Sequence, residues 1–273
     1  MTDNGLSFHG RYRDVAAEAY RLTARFVDRA VREGSVAPLR DGLSALGGLL
    51  AAARASEAPE GRDAADGSRN ACAAGCGYCC TLFVEITPLE ALVLADHIRA
   101  RMCPEDAWSA EAGILRICRD GRPESVDWRI ANRLPCPLRL DDLCSVYEDR
   151  PLVCRAYASR SWLACLREAS FPFKEMPVPV DAAAQDVSGA IYNGLVFAVR
   201  DAGLETGVVE LIRGVGLTLA TPEAHRRWLS GEAVFAPARE GGGRPPGSAA
   251  ARGQMRPATR RSAPVTPMAP PTA

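Results

Sequence analysis

All ten cysteines fall between Cys72 and Cys165, and the spacing of eight of them constrains this chain more than any other feature. Cys72-x3-Cys76-x2-Cys79-Cys80 is followed, after 55 residues, by Cys136-x7-Cys144-x9-Cys154-x10-Cys165. Thiolates are soft ligands, and closely spaced pairs bring two sulfurs to one ion at little loop-closure cost. Gly75 and Gly77 suit a knuckle in which the backbone turns tightly and aims N–H groups at sulfur. Pro137 fixes the chain just after Cys136. The spacing predicts metal ligation by Cys72, Cys76, Cys79, Cys80, Cys136, Cys144, Cys154 and Cys165. Cys103 and Cys118 sit in helical patterns and read as small buried hydrophobes.

A disulfide framework is the competing reading of so many cysteines. The stretch Met1 to Arg13 has no apolar signal-peptide core, and no run approaches the ~20 apolar residues of a membrane span. The chain therefore reads as cytoplasmic, where disulfides are rare. A bond between the neighbours Cys79 and Cys80 would also be strained. With 33 cationic and 33 acidic residues the formal charge is zero, so neither nucleic acid nor an anionic membrane is implied. The partner expected is a metal ion, with the helical flanks as surface for a protein partner.

The predicted fold is mainly α, a helical body around a loop-rich cysteine domain with little β. Residues 8–55 form an N-terminal helical segment. Within it, apolar positions recur at three- and four-residue steps from Tyr12 to Val31, and a second pattern runs from Pro38 to Ala53 after the turn at Gly34-Ser35. Residues 56–70 read as a linker and 71–170 as the metal-binding domain. Thr81 to Ile86 is a candidate strand. Thr87-Pro88-Leu89-Glu90 is a capping box with proline at the first helical position, opening a helix to about Arg101. Another helix is expected from Pro104 to about Arg119. Pro151 should open a helical turn carrying Cys154. Pro172, Pro177 and Pro179 keep Phe171 to Val180 extended. Residues 181–236 hold the C-terminal helices: Asp181 caps one to about Ala202, a second covers Gly207 to Ala220, and Thr221-Pro222-Glu223 opens a third ending near Leu229. From 237 to 273 the composition turns to proline, glycine and arginine, and a disordered tail is expected.

Tetrathiolate sites carry excess negative charge that cations or N–H donors must offset. Arg150 and Arg155 bracket Cys154 and are assigned that supporting role, and Arg167 follows Cys165. Cys79 and Cys80 are expected to serve different ions, because successive side chains on extended backbone point to opposite sides. His9, His97 and His225 lie outside the cysteine spacing and are not assigned as ligands.

The run Cys72-Ala-Ala-Gly-Cys76-Gly-Tyr-Cys79-Cys80, with Cys136-Pro-Leu, Cys144-Ser-Val-Tyr147 and Arg150-Pro151-x2-Cys154-Arg155, resembles the YkgJ-type cysteine cluster family. The resemblance covers about residues 71 to 166 and implies a zinc- or iron-chelating domain. The family's first knuckle often has two residues between its first cysteines, where this chain has three.

Two other functions compete. Cys72-x3-Cys76-x-Tyr78-Cys79 also matches the signature of S-adenosylmethionine enzymes that hold a [4Fe–4S] cluster, and the lysine N-methylase family carries a similar cysteine cluster. That reading requires alternating strands and helices, and the sequence has no such pattern. A metal-stapled interaction module is the other, since structural zinc contributes about 10–16 kcal/mol to small domains. No general acid–base pair or activated nucleophile stands out, so no catalytic residue is assigned. Zinc is favoured over iron, because no barrel or cofactor loop gives iron–sulfur chemistry a partner.

Overall fold

The computed structural model describes residues 10–57, 71–72, 75–120, 134–170 and 177–239. Most of the expected linker, residues 171–176 of the extended stretch, and the tail from 240 lie outside the described residues.

The first two helices, α1 (Arg13–Glu33) and α2 (Ala37–Glu57), form an antiparallel hairpin. The hairpin turns at Gly34, whose φ of 60° is the left-handed conformation a helix end requires and whose N–H closes on the Ala30 carbonyl. Ala16, Ala19, Val27 and Ala30 bury one face of α1, as the three- and four-residue spacing dictates. That face meets α7 (Ala182–Asp201), capped by Asp181 through the Ala184 N–H. The crossing depends on Gly194. A Cβ there would lie 2.3 Å from the Ala16 carbonyl oxygen and 2.8 Å from the Ala19 Cβ.

The capping box is present as expected: Thr87 accepts from the Glu90 N–H, and Glu90 returns the bond to the Thr87 N–H. It opens α3 (Pro88–Arg101), which buries nearly its whole length; α4 (Pro104–Asp120) follows. Both pack on α8 (Leu211–Ala220), whose Gly214 and Gly216 admit Val209 and Cys118. Two short helices, α9 (Ala224–Leu229) and α10 (Ala236–Arg239), close the described chain over the fully buried Trp228 and Phe235.

Among the described residues, strand is limited to two antiparallel pairs. β1 (Glu85–Ile86) pairs with β4 (Val209–Glu210), and β2 (Arg139–Leu140) pairs with β3 (Leu143–Cys144). No described element supplies the parallel strand–helix alternation that the S-adenosylmethionine reading needs. No described helix is long and apolar enough to cross a membrane.

Several boundaries differ from the sequence reading. The candidate strand from Thr81 shrinks to Glu85–Ile86, because Thr81 closes a 3-10 turn. The helix expected from Gly207 begins at Leu211: Val209 and Glu210 are taken by β1, and the Glu210 carboxylate then caps α8 through the Arg213 N–H. Pro222 does not open α9. Its N-cap is Glu223, held at a left-handed φ of 52°. The tail expected from 237 starts inside α10, where Ala238 is buried. Cys103 and Cys118, expected to be buried, are both exposed: Cys103 precedes α4, and Cys118 lies at the edge of its contact with α8, while Ala110, Ile114 and Ile117 fill the buried face.

Candidate metal centre

Four loop-borne or short-helix segments bring the eight cysteines into one region, and all eight are free thiols. The first knuckle turns at Gly75 with a φ of 81°, then enters a 3-10 turn, Tyr78–Thr81, which carries Cys79 and Cys80. Gly77 is there for a different reason than turning. A Cβ at Gly77 would sit 2.3 Å from the Arg139 Nε, so the bare backbone makes room for a guanidinium beside Cys80.

The second segment is pinned to the first by the Cys136 N–H, which donates to the Cys80 carbonyl at 2.7 Å. The hairpin β2–β3 then folds Cys144 back opposite Arg139. Its two corner residues, Asp141 and Asp142, have φ of 46° and 64°, which matches the twist of a tight hairpin. Arg139 donates to Asp142 at 2.6 Å. The Leu138 N–H reaches the Cys136 sulfur, and the Val146 N–H reaches that of Cys144. Such donors favour the anionic form of sulfur and are what a thiolate ligand needs around it.

Cys154 rides on the single helical turn α5 (Leu152–Ala156). Pro151 is its N-cap, one position before the place expected from sequence. The Leu152 N–H at the start of that turn donates to Glu90 at 2.9 Å, tying Cys154 to the capping box of α3. Cys165 lies on α6 (Trp162–Ser170), capped by Ser161 through the Ala164 N–H. Ser159 joins two ends of the segment: its N–H meets the Cys72 sulfur at 3.4 Å, and its hydroxyl is within hydrogen-bonding reach of Cys165.

The electrostatics follow from burial. Burial pushes the Cys136 thiol up to about 12 and raises Cys154, with neighbouring thiols adding to both. Cys144 and Cys165 are also raised by burial. In the adjacent pair, the interaction between the two thiols lifts Cys79 and lowers Cys80, where Arg139 adds to the lowering. Arg150 and Arg155 both act on Cys144, where they oppose the effect of burial. Arg150 stacks on Tyr147 at 4.1 Å, while Arg155 reaches the Arg150 and Glu148 carbonyls and packs against Gly47. Arg167 is exposed.

Beneath the cysteine segment lies a buried ionic knot that the sequence did not announce. Asp149 accepts from His97 Nδ1 at 2.7 Å and from Arg40 Nε at 3.2 Å, and Arg40 also bonds Asp96. His97 is therefore occupied in fastening α3 to the turn before Arg150. A cavity of about 400 Å³ opens beside Cys79 and Cys154, walled by Leu82, Phe83, Val84 and Val153, with Tyr157 and Glu168 also lining it.

Among the described residues, no three His, Cys, Asp or Glu side chains stand in the finished arrangement of a metal site. The donor chemistry fits a soft or borderline metal nonetheless, and occupancy would have to draw the neighbouring sulfurs inward. Residues 71–171 match the CxxCxxCC family model, whose description is "Putative zinc- or iron-chelating domain". This segment, which holds all the cysteines of the motif, is similar to that domain. No curated protein and no solved structure matches the chain.

Proposed function

We propose that the protein chelates zinc through the eight cysteines Cys72, Cys76, Cys79, Cys80, Cys136, Cys144, Cys154 and Cys165. One observation carries the reading: eight free thiols are gathered with backbone N–H groups directed at the sulfurs of Cys72, Cys136 and Cys144. Buried thiols with thiol neighbours keep their protons unless a cation replaces them, and a divalent metal is that cation. Arg139, Arg150 and Arg155 supply positive charge to offset the thiolate excess around Cys80 and Cys144. The cavity beside Cys79 and Cys154, with the Glu168 carboxylate on its wall, offers a cation a way in.

A four-sulfur set suits zinc and iron alike, and zinc is the choice because the described residues hold no parallel strand–helix alternation for iron–sulfur chemistry to work beside. Anaerobic purification followed by elemental analysis and an absorption spectrum tests this. Colourless protein carrying zinc is the expected result. Brown protein with broad absorption near about 400 nm, containing iron and sulfide, would overturn the zinc assignment and favour an iron–sulfur centre.

A further inference from the structure

The cavity of about 400 Å³ beside Cys79 and Cys154 has three walls, each fastened separately. Leu82, Phe83 and Val84 form one, on the stretch between the 3-10 turn and β1. The Leu82 N–H donates to the Cys79 carbonyl at its start, and the Val84 carbonyl accepts from the Leu211 N–H at its end. Val153 on α5 forms the second wall, with Tyr157 just past the turn and its N–H bonded to the Val153 carbonyl. Glu168 comes from α6, which packs against the 3-10 turn. Walls tied in this way give a largely pre-formed opening, as ligand pockets generally are.

The lining holds more than the passage of an ion requires. Leu82, Phe83 and Val84 are half-buried and Val153 is 44% exposed, so apolar surface faces the opening. A hydrated ion gains nothing from such surface, whereas an apolar group that covers it is stabilised by the water it displaces. The polar lining is one-sided. Glu168 supplies a carboxylate, and no lysine, arginine or histidine is among the described residues around the cavity. Burial raises the Tyr157 pKa to about 12, so its hydroxyl stays neutral and adds no opposing charge. The faces of the Phe83 and Tyr157 rings carry partial negative charge and also favour a cation.

We infer that this cavity binds a small organic cation with an apolar body, an arylalkyl amine in chemical class, with its body against Leu82, Phe83, Val84 and Val153 and its ammonium group at Glu168. The volume lies in the range of roughly 300–1,000 Å³ that ligand pockets occupy. It equals the space of about a dozen waters, which suits a ligand of roughly ten to fifteen non-hydrogen atoms. An anionic ligand of the same shape would meet the Glu168 carboxylate with no cation on the lining to offset it. The inference stands on the cavity itself and does not require the sulfurs beside it to hold metal.

Calorimetric titration of the full chain tests this with three probes of one shape, tryptamine, tryptophol and indoleacetate, the metal content being measured on the same samples. Tryptamine should bind saturably and about tenfold tighter than tryptophol, with indoleacetate weakest. Ethylamine keeps the charge without the body and should bind at least about tenfold more weakly than tryptamine. Glu168→Gln should bring tryptamine to the affinity of tryptophol. Val153→Arg, which sets a cation and added bulk at the exposed rim, should weaken tryptamine by about tenfold. Helical circular dichroism establishes that each variant is folded, and for any that is not, the order of the four probes on the wild type decides. No saturable binding, tryptamine no tighter than tryptophol or indoleacetate, or ethylamine equal to tryptamine overturns the inference. So does a folded Glu168→Gln that keeps the preference for tryptamine. All of these leave chelation untouched, since a wild-type chain that takes up no metal is what overturns that reading.

Discussion

Glu90 is the residue through which the helical body reaches the cysteine segment, and its removal is the sharpest probe of that link. Its side chain is buried, with Oε2 accepting from the Thr87 N–H at 2.7 Å and from the Thr87 hydroxyl at 2.9 Å. Oε1 accepts from the Leu152 N–H at 2.9 Å. Glu90→Ala orphans two buried backbone donors, each costing about 1–3 kcal/mol. The variant also relieves the burial of a carboxylate, whose pKa is raised by desolvation, so the net loss should be about 2–4 kcal/mol. In a chain of this size that lowers the melting temperature by roughly 5–15 °C. Thr87→Ala is the control, since it removes the hydroxyl's cap and its bond to Glu90 at a cost of about 1 kcal/mol but leaves the Leu152 bond in place. Thermal unfolding of both variants, followed by circular dichroism, separates the two contributions. Glu90→Ala should also hold metal less tightly than Thr87→Ala, because only it frees the turn that carries Cys154. Equal melting temperatures for the two variants would refute the argument that the Leu152 bond matters.

Other outcomes follow from the same contacts. Burial opposes the Asp149 charge, but His97, Arg40 and Arg101 outweigh it and hold its pKa below the usual carboxylate range. Its contribution is therefore full above the unfolded value of about 4 and is lost as pH falls through the folded value. Asp149→Asn should cost about 3–5 kcal/mol at neutral pH and flatten the acid limb of the stability profile; an unchanged acid limb would contradict this. Gly194→Ala forces α1 and α7 apart at the Ala16 carbonyl, and should cost about 1–3 kcal/mol less the up to about 1 kcal/mol that alanine gains in a helix. An unaltered melting temperature would show that the helices yield freely. Chelator treatment should lower the melting temperature and open the 71–166 stretch to protease, by about 4 kcal/mol where metal stands at a thousand times its Kd. A melting curve that does not move after proven metal removal would count against a folding role.

How much of this was legible in the sequence depended on whether the deciding contact was local. The Thr87-Pro88-Glu90 box and the Asp181 cap are set by residues within one turn, and both appear where the sequence puts them. The start of α8 was misplaced because Val209 and Glu210 answer to Glu85 and Ile86, more than a hundred residues away. The hairpin at Arg139–Cys144 carries Asp-Asp at its corner in place of the usual glycine, so its turn signal was weak. Cys118 was misjudged because the buried face of α4 is chosen by contact with α3 and α8, which periodicity alone does not specify, and Cys103 because the helix starts only after it. Among residues around the cysteines, Arg150 and Arg155 stand beside Cys154 in the sequence, and in the structure they act on Cys144. Arg139, Ser159 and Glu90 were not recognisable, since their relation to sulfur exists only after the chain has folded back on itself.

The fastenings also explain why a cysteine region with so little regular structure can hold its shape. Outside α3, α4 and β1, its cysteine-bearing loops contribute few large apolar side chains to the core, chiefly Leu138, Val146 and Leu152. Apolar packing is non-directional and would tolerate small slides of these loops over the helices. Sulfur ligation tolerates them poorly, because distances and angles at a metal are narrowly set. The loops are accordingly tied by directional bonds: Leu152 to Glu90, Asp149 to His97 and Arg40, and Arg155 to its own loop's carbonyls against Gly47. On the far side, the Leu211 N–H donates to the Val84 carbonyl, and Ser159 pairs with Val180 just ahead of α7. Each tie fixes one loop segment to an element whose own position is set by the buried core. Registration of the sulfurs is thus inherited from helix packing, and a substitution at Gly194 or Arg40, far from any thiol, should loosen the cluster by the same route.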